Sequence, residues 1–340
     1  MKRCLLVLVL SLAAVTASAN TAPDSSWSYV PEFHGVTRIF YRLATSGDGG
    51  SRFEVANARL SAGGRVFPWL SYFIQPDFCA NGKIKIMDAY ARVTPVDGLS
   101  VIMGQCRVPF SVDASRQVWN YYFADIAAPA ALSTLRSTGI KAGYRVPGTS
   151  LYVEGGVFNA ASMTDHTPWN SSMIYGIKAN ITVAGLRPEL CFMSRGGADD
   201  SFVRYNQLDA SLSYTLGGFF AEAEYLYRHY AGVNFPDTHA WSVFADYGVP
   251  LRARMADKLS FQLRYDGSTD CSSGELIVGG DRHIATTVER FNRITAGVTA
   301  SRHIGKCMAA FRINYEQYLY SREVNRRTPS QLIAGIIFHF

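Results

Sequence analysis

The sequence predicts an all-β protein, a transmembrane antiparallel β-barrel of sixteen strands. Three observations lead there. Apolar and polar residues alternate with the two-residue period of a strand from about residue 34 to the last residue. Tight turns alternate with long polar loops along the chain, the habit of a barrel with one short-turned rim and one long-looped rim. Beyond residue 20 no apolar run approaches the roughly 20 residues of a membrane helix, and in lipid the remaining way to satisfy every backbone polar group is a closed barrel.

Residues 1–19 read as a signal peptide: Lys2 and Arg3 are charged, Leu5 to Val15 is apolar, and Ala17-Ser18-Ala19 is a small-residue cleavage site. Residues 20–33 are polar with two prolines and read as a periplasmic lead-in, leaving 34–340 for the barrel. The strands are expected at His34–Leu43, Arg52–Ala62, Leu70–Asp77, Lys85–Thr94, Leu99–Gln105, Gly139–Arg145, Ser150–Phe158 and Met173–Val183. The second half continues with Leu186–Arg195, Tyr205–Leu216, Gly218–Arg228, His239–Gly248, Lys258–Asp266, Arg293–Ser301, Lys306–Glu316 and Gln331–Phe340.

Each strand shows the same logic. In the twelfth, Trp241, Val243, Ala245 and Tyr247 share one face while Ser242, Phe244 and Asp246 share the other. An apolar, aromatic-edged face suits lipid, and the polar face suits a wet lumen. Tight turns are expected at Gly63-Gly64, Val96-Asp97-Gly98, Pro147-Gly148, Ala184-Gly185 and Gly217-Gly218. Long loops fall at 44–51, 78–84, about 106–138, 159–172, 196–204, 229–238, 267–292 and 317–330. The last strand ends on Phe340, which resembles the sorting signal of outer-membrane proteins.

Composition agrees: 48% hydrophobic and 13% aromatic residues with 29 glycines, and mean hydropathy near zero. Net charge is +6, or +4 once Lys2 and Arg3 are removed, carried by 25 arginines against 6 lysines. That imbalance is too small to imply a nucleic-acid partner, and the placement of the charge matters more than its size. The five cysteines after residue 19, an odd number at irregular spacing, match no metal pattern; Cys79 and Cys271 both fall in expected loops, which allows a bridge between them. No cofactor motif is present. Seven scattered histidines, no nucleophile elbow and no phosphate loop argue against an enzyme.

The stretch Asp88–Ser111 carries a more specific signal: Asp88-Ala89-Tyr90, a hairpin through Pro95-Val96-Asp97-Gly98, then Gly104-Gln105, Arg107 and Pro109-Phe110-Ser111. In these residues, and more diffusely in Gly139–Arg145, Val157-Phe158-Asn159 and Glu222–Tyr225, the chain resembles the phosphate-selective porin O and P family. The resemblance implies an outer-membrane porin, a homotrimer, whose third long loop folds into the lumen and narrows it. It implies passive passage of small hydrophilic solutes with a preference for anions, phosphate or polyphosphate among them, and contact with membrane lipid and lipopolysaccharide.

On that reading the loop arginines Arg107, Arg116 and Arg136 are the leading candidates for the constriction. Wall residues Arg38, Arg42, Arg59, Arg92, Lys141 and Arg145 face the same lumen, with Lys178, Arg264, Arg293 and Arg312 in phase. A guanidinium keeps its charge in a narrow pore and can grip carboxylate or phosphate oxygens in pairs. The competing reading is that these cations neutralise Asp88, Glu154, Asp209, Glu222, Glu224, Asp246 and Glu316 on the same face, since buried charges are normally paired. Tyr121, Tyr122, Phe123 and the run Ala127–Leu132 are expected to pack the loop on the wall, through a short helix. The alternative function is a surface or adhesion protein that uses the barrel as a scaffold for loops 267–292 and 317–330.

Overall fold

The computed structural model describes residues 30–340 apart from 48, 81, 162, 278–282, 322 and 326. The proposed signal peptide and residues 20–29 of the lead-in therefore lie outside the described residues. Sixteen antiparallel strands close into one barrel, each paired with its sequence neighbours. The strands are β1 (Glu32–Ala44), β2 (Ser51–Phe67), β3 (Leu70–Ala80), β4 (Lys83–Val96), β5 (Leu99–Arg107), β6 (Arg136–Arg145), β7 (Tyr152–Asn159) and β8 (Met173–Asn180). They continue as β9 (Leu186–Arg195), β10 (Tyr205–Leu216), β11 (Phe219–Tyr230), β12 (Thr238–Pro250), β13 (Lys258–Ser268), β14 (Phe291–Ile304), β15 (Cys307–Leu319) and β16 (Gln331–His339).

The seam joins β1 to β16 from Val36 opposite His339 to Ala44 opposite Gln331. Gly35 and Phe340 extend it by exchanging backbone hydrogen bonds of 3.0 Å in both directions. The final aromatic ring lies over Gly35, where a Cβ would come within 2.3 Å of it. Outward faces carry the exposed apolar residues, among them Tyr225, Val243, Leu263, Ile313 and Ile336. Inward faces carry the buried polar ones, among them Gln207, Asp246, Thr295 and Asn314.

Two connections differ from expectation. Gly63 and Gly64 lie inside β2, and the turn is Pro68-Trp69. The glycines make room for the rings of β3, because a Cβ on Gly64 would stand 2.9 Å from the Tyr72 hydroxyl and one on Gly63 would stand 3.1 Å from Phe73. The expected long loop at 78–84 is shortened at both ends, because β3 runs on to Ala80 and β4 begins at Lys83, through register shifts at Gln75/Pro76 and Asp77/Ala80. Cys79 accordingly sits in β3, its thiol against the Val55 carbonyl, while Cys271 is buried beside Arg228. All five cysteines of the described residues are free, which removes the Cys79–Cys271 bridge.

The interior is not uniformly polar. Phe158, Ile174, Met193, Leu226 and Tyr230 point inward near the long-looped rim and pack with Val108, Phe110 and Ala128 into an apolar core inside the barrel. That core is the seat of the third long loop. Residues 269–290 join it through Ile284, with bridges Cys271–Val288 and Leu276–Ile284 folding the segment back on itself.

The Gly104-Gln105-x-Arg107 signature now has a physical account. Gly104 adopts φ 132°, and a Cβ there would lie 2.4 Å from the Ala89 carbonyl oxygen. Gln105 Nε2 donates to the carbonyls of Ile86 and Met87, binding β5 to the irregular stretch of β4. Gly104→Ala is expected to cost roughly 3 kcal/mol or more, read as loss of the folded band when unheated protein is run on a gel.

Candidate functional site

Residues 108–135, between β5 and β6, cross the lumen. Ser111 turns the chain inward at φ 60°, its hydroxyl donating to Glu224 Oε1 at 2.5 Å and its carbonyl accepting from Ser115 Oγ at 2.6 Å. A single 3-10 turn follows at Val118–Asn120, then the helix α1 (Ala128–Ala131), started by Pro129 and built of small residues that fit against the inner wall. The expected aromatic packing is present: Tyr122 stacks on Phe220 at 4.9 Å and Phe123 meets Phe244 edge-on at 5.6 Å.

This segment has no strand partner, so its buried backbone groups must be satisfied otherwise. The wall supplies the partners. Arg38 donates to the Ala124 carbonyl at 2.5 Å, Arg264 to that of Asp125 at 2.8 Å and Arg293 to that of Ile126 at 2.8 Å. Arg312 donates to the carbonyls of Phe123 and Tyr121 at 2.9 and 2.6 Å, and Arg228 to that of Leu132. Acceptors face the amides: Asn314 takes Ala124 N at 2.7 Å and Asp266 takes Ala128 N at 2.9 Å. Arg42 grips the Asp125 carboxylate with two bonds of 2.7 Å.

The residues singled out from the sequence therefore divide. Arg116 is paired with Asp113 and Glu222 at 2.6 and 2.5 Å, and Arg136 with Asp88 at 3.0 Å. Arg107 donates to the Ala114 carbonyl and to Gln117. Arg107 and Arg136, expected in the loop, are the facing end residues of β5 and β6: Arg107 and Arg116 fasten the loop while Arg136 ties β6 to β4, so all three guanidinium groups are engaged where an open filter was expected. Arg59 is bound to Asp77 at 2.7 Å, Arg42 also to Glu54 at 2.6 Å, and Arg38 also donates to Asn57 at 3.1 Å. Lys141 and Lys178 share Glu154 at 2.9 and 3.2 Å, and Arg264 and Arg293 share Asp266 and Glu316.

Arg92 and Arg145 are different. Both are exposed and, among the described residues, neither has a carboxylate partner. They lie on the inward faces of β4 and β6, in phase with Asp88 and Lys141. Each covers a tyrosine: Arg92 Cζ lies 5.6 Å from the Tyr90 ring centre and Arg145 Cζ 5.4 Å from that of Tyr152. Arg92 also donates one N–H to the Tyr90 hydroxyl at 3.2 Å, so the ring and its hydroxyl hold the guanidinium without neutralising it.

Cavities lie on either side of the crossing loop. Towards the long-looped rim, a space of about 940 Å³ between residues 44–52 and 317–331 adjoins one of about 820 Å³ floored by Arg42, Glu54 and Asp125. Towards the short-turned rim, a vestibule of about 640 Å³ is bounded by Trp119, Tyr121, Arg187, Ser260 and Arg312.

The anchors on the acidic side, Glu224, Asp266 and Asn314, were not singled out as such from the sequence; their one signal is a polar residue in mid-strand on the inward face. Asp209 sits beside Glu224, fully buried, and apart from that carboxyl no donor reaches its oxygens among the described residues. Asp209→Asn supplies an N–H to Glu224 and is expected to stabilise the barrel by about 1–2 kcal/mol, measured as an upward shift of the urea midpoint.

No protein-family profile and no curated protein matches the chain. Solved structures do. A structure of an anion-selective porin from Comamonas acidovorans superposes with TM-score 0.66 at 11% identity, over 92% of this chain and 99% of that one. OmpF of Salmonella typhi, in complex with daunomycin, gives 0.65 at 15% identity over 91% and 97%. OmpT of Vibrio cholerae, an outer-membrane protein in its trimer form, gives 0.61 at 14% identity over 92% and 98%. The fold is that of a bacterial outer-membrane porin.

Proposed function

We propose that this chain is a passive diffusion pore of the outer membrane for small hydrophilic solutes, with a preference for anions that includes phosphate. The observation that carries the anion clause is the pair Arg92 and Arg145, two exposed, lumen-facing guanidinium groups that have no carboxylate partner among the described residues. Basic side chains along a pore wall favour anions, and moderate, ring-backed sites release an ion as readily as they attract it. Phosphate suits such sites because its oxygens match the guanidinium fork. The proposal is of a non-enzymatic pore, in keeping with the porins among its structural neighbours.

The chain is further proposed to work as a homotrimer in contact with lipid and lipopolysaccharide. Its apolar outer belt and the trimer form of the Vibrio cholerae neighbour support that. The test of the pore is a planar bilayer recording under a potassium chloride gradient: stepwise conductance and a zero-current potential of the sign set by chloride are expected. Absence of conductance sinks the pore, and a potential of the cation's sign sinks the anion clause.

A further inference from the structure

The vestibule on the short-turned side differs chemically from the Arg92/Arg145 wall. Every cation that lines it is engaged: Arg116 by Asp113 and Glu222, Arg187 by Glu189 at 3.0 Å, Lys258 by Asp246 at 3.8 Å, and Arg312 by loop carbonyls. The cavity is thus polar while its charges are locally balanced. One side is aromatic. Trp119 and Tyr121 are presented by the crossing loop, half-buried; Trp119 is held in place by stacking on His339 at 4.4 Å and 16°, and Tyr121 lies under Arg38, while Tyr122 behind them is taken up by Phe220 and Arg116.

The other side is a wall of hydroxyls. Ser213, Ser260 and Ser301, on β10, β13 and β14, line the cavity with at most 8% of their surface exposed. Among the described residues their hydroxyls have no protein hydrogen-bond partner. Their oxygens open onto the cavity, where water or a solute's hydroxyl can complete them.

A flat apolar surface facing rigid hydroxyls, with charge balanced, is complementary to a ring that has C–H faces and a hydroxyl rim. We propose that this vestibule is a binding site for neutral pyranose sugars of one or two rings. Aromatic faces take the ring's C–H side, and Ser213, Ser260 and Ser301 take its hydroxyls. The volume of about 640 Å³ falls within the range of small-molecule sites, roughly 300–1,000 Å³. The site rests on the pore reading for its route of access. It differs from the anion-preferring wall in taking an uncharged ligand.

The experiment adds maltose to the short-turned side of single channels conducting potassium chloride. Concentration-dependent interruptions of the current are expected, while sorbitol, which has the hydroxyls but no ring face, produces none at the same concentration. Trp119→Ala is expected to raise the half-saturating maltose concentration about tenfold. Because that change also frees the loop from His339, Ser213→Ala with Ser260→Ala, on rigid strands, serves as a second variant and is expected to weaken binding in the same direction. Maltose no more effective than sorbitol in a conducting channel overturns the site and leaves the pore intact. If no channel conducts, the pore reading fails separately, and calorimetry of the folded barrel in a detergent without a sugar headgroup decides the site: a saturable heat with maltose supports it and none overturns it.

Discussion

Asp266→Ala is expected to lower the barrel's stability by about 3–5 kcal/mol, the cost of leaving buried guanidinium groups without their counter-charge. Asp266 is fully buried and receives Arg293 at 2.6 and 3.0 Å, Arg264 at 3.4 Å and the amide of Ala128 at 2.9 Å. One residue therefore compensates two arginines and accepts the first amide of α1. Its loss leaves Arg264 and Arg293 sharing Glu316 alone and removes the acceptor under α1. The expected readouts are a lower urea midpoint by tryptophan fluorescence and noisier, less uniform conductance, because the crossing loop loses an anchor. Adding Arg293→Met to Asp266→Ala removes one of the uncompensated charges and should recover part of the loss. A cost below 1 kcal/mol for the single change, or a double variant worse than additive, contradicts the compensation argument.

The barrel was legible because lipid imposes a rule on every second residue. Strands such as Tyr205–Leu216 and Lys258–Ser268 expose one side chain in two to hydrocarbon, and their sequences alternate for that reason alone. The failures were local and have local causes. Gly63-Gly64 resembles a turn in composition, but its glycines serve neighbouring rings, a requirement set by β3. Likewise 78–84 reads as a loop between two expected strands, where the structure carries β3 to Ala80 and starts β4 at Lys83 through register shifts. The inward loop itself followed from the resemblance at Asp88–Ser111, and its apolar seat at Phe158, Ile174 and Met193 was not foreseen. The site was less legible, because an inward arginine reads the same whether it meets a carboxylate, a carbonyl or water. Arg312 and Arg92 are both inward, on β15 and β4. The first is consumed by the carbonyls of Phe123 and Tyr121, and the second faces the lumen over Tyr90. What separates them is the path of residues 108–135, which depends on contacts more than a hundred residues apart.

Reversing the two open charges, Arg92→Glu with Arg145→Glu, is expected to turn the pore's ion preference towards cations. A unit charge about 6 Å from a passing ion in aqueous surroundings contributes roughly 0.7 kcal/mol, and reversal counts each position twice. Screening over a Debye length of about 10 Å at 0.1 M salt reduces the total to about 1–2 kcal/mol, a change of roughly tenfold in the anion-to-cation permeability ratio. Neither arginine is buried or ion-paired, so the urea midpoint should stay within about 0.5 kcal/mol of the parent. Stability is what distinguishes this pair from the buried, ion-paired Arg116 and Arg136. Arg116→Ala with Arg136→Ala removes as many cations as a neutralised Arg92 and Arg145 would, yet it strands Asp113, Glu222 and Asp88 in the interior and should cost several kcal/mol, about 3–5 for a buried pair broken on one side. The zero-current potential and the unfolding midpoint, measured together on both double variants, separate the roles. If the Arg92/Arg145 reversal leaves the potential unchanged while the Arg116/Arg136 variant, still folded, shifts it, selectivity belongs to the loop, and the open wall arginines are bystanders.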